Sequence, residues 1–512
     1  MSERLTYRFG PLERRGLLGP LRAGQALVLA AGAVGAVVAL NAAPSAGGAT
    51  LALAAVAGAA AFAFVPLGRH TAADWAPLVM SFLTRSVRRR SARRAVPEAL
   101  VASVAATGAD ALGALAGPER APGKARPRLE PDRARPPATL TGTRIAAVPY
   151  RERVLGVLSE QRGRRATAVL ACRVVAFSLL DAEAQQRRLA RWGLVLAGAA
   201  GTPISRLQWL ERTVPTQGDE LARWLHAERD PAMPPRGTPM IESYLELIAN
   251  TARVIQEHEV LVAVQVDARR VRDRGADAVT AALLEQTERI AQGLEAAEVS
   301  VVGALGPRQL ARALRTAFDP YARAELATLE TADPTREGLV EANAWPLGTR
   351  EGWDHYLTDG AVHATYWIAG WPRVDVSSMF MDALLGRSSA VRTVAVTFEP
   401  IAPERSTREA EAAVTRDRAD RELRHRFGQS QTARQRQAEE ATARREAELA
   451  AGHGEVRLAG FITVSGRDLD DLRRSCAEVH EHAARARLEL HRLYGQQASA
   501  FTFTLPLCRG LR

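Results

Sequence analysis

Lysine is almost missing from this chain. Of 68 lysines and arginines only Lys124 is a lysine, and it stands in Gly123-Lys124-Ala125. A Walker A loop needs Gly-Lys-Ser or Gly-Lys-Thr, because the lysine contacts the β- and γ-phosphates and the hydroxyl holds magnesium. The sequence therefore contains no P-loop, and Schiff-base chemistry is left with one lysine in a proline-rich stretch. Cysteine is nearly as scarce: Cys172, Cys476 and Cys508 are too far apart for a disulfide framework or a CxxC zinc site. The chain reads as reduced, metal-free and without a cofactor. Aromatic residues make up only 5%, yet 47% of the 512 residues are apolar and 24% charged, enough for two or three domains with cores of their own.

Charge is absent altogether from Ala23 to Gly68. A turn-like break, Asn41 to Gly48, divides this run into Ala23–Leu40 and Ala49–Leu67. As helices these are roughly 27 Å long, close to the thickness of a bilayer core. Their alanines and glycines suit close packing of two transmembrane helices. Arg14, Arg15 and Arg22 precede the hairpin, and Arg69, Arg88, Arg89 and Arg90 follow it. Arginine on both flanks places both termini in the cytoplasm and sets the flanks against anionic inner-membrane lipids. Residues 1–165 carry 24 basic and 10 acidic side chains, an excess of 14, which leaves residues 166–512 at −3. The basic character thus surrounds the apolar run, and nucleic-acid binding by the rest is disfavoured. A twin-arginine export signal and an alanine-rich buried hairpin of a soluble domain are the competing readings. The first lacks Ser or Thr before Arg14, and the second rarely goes 46 residues without charge.

Residues 101–149 form a Pro/Arg-rich linker between a membrane domain, 1–100, and a cytosolic body. The body divides into halves 150–345 and 346–512. Apolar and helical periodicities predict strands at 165–180, 204–214, 260–267, 299–302, 362–368, 391–398, 456–464 and 501–505. Helices are predicted at 181–199, 217–229, 241–256, 276–296, 308–317, 378–385 and 469–493. Residues 402–450, rich in Arg, Glu, Ala and Gln, read as two arms of a protruding charged hairpin broken at Phe427-Gly428. The second half resembles the first in kind. The fold class is α+β, with helices on mostly antiparallel sheet.

Catalytic signatures are missing. His480-Glu481-His482 lacks the histidine one turn on that a zincin needs, since position 484 is Ala484, and reads as a solvated helix surface. Thr463-Val464-Ser465-Gly466 is a strand end, not a nucleophile elbow. Candidate partner-binding residues are Trp367, Trp371 and Arg373 beside Pro372, and Phe427 at the tip of the charged hairpin. An aromatic cluster such as Trp367 and Trp371 is more often core at a strand end. An unrecognised enzyme site would require Asp354, His355 and Asp359 to converge.

The run Tyr7-Arg-Phe-Gly-Pro11, the apolar hairpin, and Arg69-His-Thr-Ala-Ala-Asp-Trp75-Ala-Pro77 resemble the start of an actinobacterial membrane-protein family with a PrgI-like hairpin. Asp359-Gly360, Tyr366-Trp367, Trp371-Pro372-Arg373, Glu399-Pro400 and Leu505-Pro506-Leu507 resemble the N-terminal, non-ATPase part of VirB-type secretion ATPases. The resemblance implies a non-enzymatic, membrane-anchored adaptor of a type IV secretion or conjugation apparatus. Its partners would be a separately encoded P-loop ATPase, other membrane proteins of the apparatus and a second copy of the chain. A type VII secretion membrane subunit is the nearest alternative, and a membrane-bound enzyme the next.

Overall fold

The computed structural model describes residues 23–67, 70–92, 136–151, 153–173, 177–215, 256–273, 275–322, 344–372, 374, 376–386, 388–426, 433–450 and 454–511, with scattered positions between 239 and 246. By contacts the chain separates into two compact units, one spanning 13–133 and the other comprising 1–12 and 134–512.

The smaller unit holds the apolar hairpin. Helices α1 (Ala23–Ala42) and α2 (Ala46–Phe64) are both long and apolar enough to cross a bilayer. Their large side chains point outward, with Leu27 and Leu53 each 72% exposed, which a helix pair buried in a soluble domain does not show. The reversal is tighter than the sequence suggested. Ser45 caps α2 by accepting a hydrogen bond from the Gly48 amide at 3.3 Å, so the second span opens at Ala46 instead of 49. A Cβ at Gly48 would lie 1.8 Å from the Ala43 carbonyl oxygen, so only glycine allows this turn. The second span ends at Phe64 instead of 67, because Val65 precedes a proline and takes an extended conformation. Two short strands follow, β1 (Pro66–Leu67) and β2 (His70–Thr71). They lead into α3 (Ala72–Ala92), where Asp74 reaches back to the Thr71 amide at 3.3 Å in a capping arrangement.

The larger unit is built on one 12-stranded sheet in which every described pairing is antiparallel. Its strands are β3 (Arg144–Tyr150), β4 (Arg153–Glu160), β5 (Arg165–Arg173), β6 (Ile204–Pro215), β7 (Gln256–Asp267), β8 (Ser300–Ala304), β9 (Arg350–Glu351), β10 (Tyr356–Leu357), β11 (Val362–Gly370), β12 (Val391–Pro400), β13 (Val456–Gly466) and β14 (Glu489–Arg492). Its helices are α4 (Ala182–Gly198), α5 (Ala276–Ala296), α6 (Pro307–Phe318), α7 (Asp382–Leu385), α8 (Pro403–Arg426), α9 (Ala433–Ala450), α10 (Leu469–Arg485) and α11 (Gln497–Phe501).

The sheet is an internal repeat. β5-α4-β6-β7-α5-β8 and β11-α7-β12-β13-α10-β14 share one connectivity, and both order their strands fourth, first, third, second. That is the arrangement of a ferredoxin-like split β-α-β unit. The two units join through their second strands, β6 and β12, with Leu210 opposite Ala395. Local geometry repeats as well. After α5 the chain turns through Glu298 at φ +60°, and the Val299 amide donates to the Leu294 carbonyl at 2.9 Å. After α10 it turns through Arg487 at φ +57°, and the Leu488 amide donates to the Ala483 carbonyl at 2.8 Å. Each is a left-handed helix stop made without glycine.

One face of the sheet carries α4, α5, α7 and α10, packed by Trp192, Ile290, Leu294, Leu384, Leu472 and Val479 against Leu207, Val262, Val394 and Ile462. The other face carries α6, Trp345, α11 and the segment beyond it, packed on Leu210, Leu261 and Ala395. Here the chain after Thr504 crosses from the second repeat to the first as a strap. Gln208 donates to the Phe503 carbonyl at 2.7 Å and accepts from the Cys508 amide at 2.8 Å. Gln265 donates to the Leu507 carbonyl at 3.0 Å, and Thr397 to the Arg509 carbonyl at 3.1 Å. Buried amide and hydroxyl side chains thus satisfy backbone that no strand pairs.

Several expectations are corrected in the larger unit, including the helix expected at 378–385, which begins at Asp382 after a turn. The sheet starts at β3 inside the stretch read as linker to 149, because Ile145 and Val148 pack into clusters on opposite faces of the sheet among the prolines and arginines that dominate its composition. The strand expected to run to 180 ends at Arg173, and a 3-10 turn follows at Phe177–Leu179. The helix expected to run to 493 stops at Arg485, and β14 follows the turn at Arg487. Phe501–Leu505 is not a strand: its Phe-Thr alternation serves a 3-10 turn, Thr502–Thr504, lying on the sheet. The predicted helix 217–229 lies outside the described residues, and most of 241–256 does too.

Candidate functional site: docking and membrane surfaces

The two tryptophans singled out in the sequence do not form one surface. Trp367 shares the parity of Thr365 along β11, on the face opposite Tyr366 and Ile368. It is half-buried and edge-on to His491 at 6.1 Å. Trp371 packs with the Tyr366 and Ile368 cluster on the other face, where a Cβ at Gly460 would lie 2.9 Å from its ring. Its contacts are those of a core residue. Arg373 and Phe427 lie outside the described residues.

Asp354 and His355 meet: the His355 Nδ1 and an Asp354 carboxylate oxygen are 2.8 Å apart, and Arg492 approaches the same carboxylate at 3.7 Å. Asp359 turns elsewhere, accepting from Arg315 Nη2 at 2.7 Å and from the Leu347 amide at 3.2 Å. Asp319 lies 3.9 Å from the same arginine, and burial pushes its carboxyl above the usual range. His363 is fully enclosed, with Ser465 Oγ at 2.8 Å, Thr358 Oγ1 at 3.2 Å and the Phe318 carbonyl at 3.1 Å. These groups join the end of α6 to the start of β11, and so stitch the first repeat to the second.

His480 contacts the Cys476 carbonyl of its own helix at 2.8 Å and stands edge-on to Tyr366 at 4.8 Å. No group of three or more His, Cys, Asp or Glu able to hold a metal is gathered among the described residues. All three cysteines are buried, and burial raises each thiol, Cys172 to about 11.

The charged hairpin consists of α8 and α9 packed on each other through Ala410, Ala413 and Thr442. Its root is tied to the sheet by Arg457 and Glu409 at 2.7 Å and by Arg445 and Glu455 at 2.5 Å. Of the membrane-flanking arginines, Arg14, Arg15, Arg22 and Arg69 lie outside the described residues. Arg88, Arg89 and Arg90 fall within α3, but their side chains are not described.

Residues the sequence reading passed over are Gln208 and Gln265, which hold the strap, and Gln25, which donates to the Ala63 carbonyl at 3.0 Å between the apolar helices. Each is a lone glutamine within an apolar run, and that is the signal by which it could have been found.

Against known proteins, residues 254–368 match the family described as "Putative type VII ESX secretion system translocon, EccE". The match covers under a quarter of the chain, from β7 through α5, β8 and α6 into β11. It spans the junction that Arg315, Asp359 and His363 hold together. No curated protein matches the chain. The family match and the two apolar helices support a membrane subunit of a secretion system.

Proposed function

We propose that this chain is a non-enzymatic, membrane-anchored subunit of a type VII-like secretion apparatus. The observation that carries the reading is the match of residues 254–368 to a type VII translocon family in a chain that also holds two exposed apolar helices. The match favours type VII over the type IV and conjugation alternative. In this reading α1 and α2 span the cytoplasmic membrane, and arginine-rich flanks keep both ends cytoplasmic. The double ferredoxin-like sheet is a rigid platform for other subunits of the apparatus, including a separately encoded P-loop ATPase. Tethering such a motor to the membrane raises its local concentration without any new contact.

The test is purification of the tagged chain from native membranes in mild detergent, with identification of what accompanies it. Other membrane subunits and a P-loop ATPase are expected. Repeated recovery without an ATPase removes the docking role, and ATP turnover by the purified chain alone removes the non-enzymatic one. Reporter fusions at residues 1 and 512 that report the outer side of the membrane would overturn the orientation.

A further inference from the structure

The charged hairpin is polarised along its length. Residues 403–413 and 437–450, the root, carry 4 arginines against 7 acidic residues; residues 414–436, the outer part, carry 7 arginines against 3. At the root the acids are used, with Glu409 held by both Arg405 and Arg457 and Glu455 held by Arg445. Farther out, Arg416, Arg418, Arg426 and Arg436 are exposed. α8 extends about 36 Å at about 1.5 Å per residue. Among the described residues its extensive packing partner is α9, and the arm's ion pairs to the sheet are at the root.

The sheet register fixes where this arm begins. Arg144 pairs with Ser159, Glu160 with Arg165, Arg165 with Asp267, and Ile204 with Val266. Pro400 pairs with Val456, and Arg206 reaches Glu399 at 3.5 Å. These residues form one margin of the sheet. The root of the arm, at Pro400 and Val456, therefore leaves from the same margin as Arg144, where the first strand of the sheet begins. The two points are five strand spacings apart, roughly 24 Å at about 4.8 Å each. The insertion in the first repeat, residues 216–255, leaves from the opposite margin, beyond Pro215.

From this distribution of charge we infer that the basic outer half of the α8–α9 arm is a second membrane contact, which docks on anionic phospholipid headgroups. Each arginine near an anionic surface favours the bound state about fivefold, an effect lost with screening. The inference rests on the membrane-anchored reading above.

The experiment uses the full chain reconstituted into vesicles, with a donor dye on Ala419→Cys, an exposed position on the outer part of α8. The native cysteines are buried and leave the label selective. Energy transfer to a headgroup-labelled lipid is compared in phosphatidylcholine vesicles with and without phosphatidylglycerol. Transfer is expected to rise at least about twofold with the anionic lipid and to fall back at about 1 M salt, where screening acts over about 3 Å. The rise should also vanish in a variant carrying Arg416→Gln, Arg418→Gln, Arg426→Gln and Arg436→Gln, which keeps helix-forming residues at exposed sites. A chain that floats with vesicles after alkaline washing but gives equal transfer on both lipids overturns the headgroup contact alone and leaves the basic arm to an acidic protein. A chain that does not float overturns the anchor and this contact together.

Discussion

Arg509 donates from Nε to Glu160 at 2.9 Å, on the far side of the sheet from the repeat that precedes it in sequence. Glu160 is buried in β4, which pairs with the first repeat through β5, whereas the strap bearing Arg509 follows the second. The same guanidinium donates to the Thr139 carbonyl at 2.9 Å. One side chain thus ties together the segment before β3, the hairpin of β4 and β5, and the strap. The latch adds to the β6–β12 pairing, to the junction at Arg315 and His363, and to the strap's bonds with Gln208 and Gln265.

Removing the latch should cost more than a surface ion pair. Arg509→Ala leaves the Glu160 carboxylate buried with only Thr143 Oγ1 at 3.5 Å. A loss of about 2–4 kcal/mol is expected, since an uncompensated buried charge is worth more than the pair it came from. Denaturant unfolding of the full chain in detergent measures it. In a double-mutant cycle with Glu160→Gln, the second change should recover part of the loss; additive losses would show that Arg509 acts through packing alone.

Within the apolar hairpin, the structure distinguishes sterics from hydrogen bonding. A Cβ at Gly32 would lie 2.3 Å from Ala59 Cβ, so Gly32→Val must push the two helices apart. Gln25→Leu removes the bond to the Ala63 carbonyl, and a side-chain hydrogen bond between membrane helices is worth about 0.6 kcal/mol. The valine variant should lose about 1–2 kcal/mol and the leucine variant less than half of that. Unfolding of the reconstituted chain by denaturing detergent ranks the two, and an equal or reversed order would refute the close approach at Gly32.

Legibility from sequence followed the number of contacts that a residue's own neighbours supply. α5 matched its predicted bounds because Val279, Leu283, Ile290 and Leu294 repeat at helical spacing behind a glycine cap. The two arms of the charged hairpin were equally plain from composition. Features set by distant partners were not legible. Arg487 adopts a left-handed conformation with no glycine or asparagine to announce it. The strap imitates a strand because Phe501, Thr502 and Phe503 alternate, yet Thr504 Oγ1 bonds Thr463 Oγ1 on the sheet beneath at 2.7 Å. The tryptophans suggested one aromatic surface, but although both stand at odd positions, the irregularity between Ile368 and Gly370 lies between them and sends them to opposite faces.

Thiol chemistry should report unfolding with no native background. Cys172, Cys476 and Cys508 are buried, and loss of hydration holds their thiols protonated. At about pH 7.5 maleimide should modify the folded chain at least about 100-fold more slowly than the denatured one. Mass spectrometry of a quenched time course counts the labelled sites. Rapid modification of any of the three in the folded chain would show that its side of the sheet opens locally.

Acid should act on the junction between the repeats through His363. Complete burial lowers its pKa from 6.5 to about 4, so the folded chain keeps the ring neutral while the unfolded chain binds a proton. Between about pH 6.5 and 4 the unfolded state therefore holds more protons. Stability rises with pH through this window and is lost as pH falls through it, by on the order of 3 kcal/mol at the acid end. His363→Gln cannot titrate and keeps a polar side chain near Ser465 and Thr358. It should lower stability at about pH 7 but flatten the dependence between pH 6.5 and 4 by most of that amount. Asp319, whose carboxyl is raised by burial, is present in both proteins and cancels in the comparison. Denaturant midpoints at about pH 7, 5.5 and 4.5 decide the matter: parallel profiles for the two proteins would place the acid sensitivity elsewhere, and convergence toward low pH would assign it to this ring.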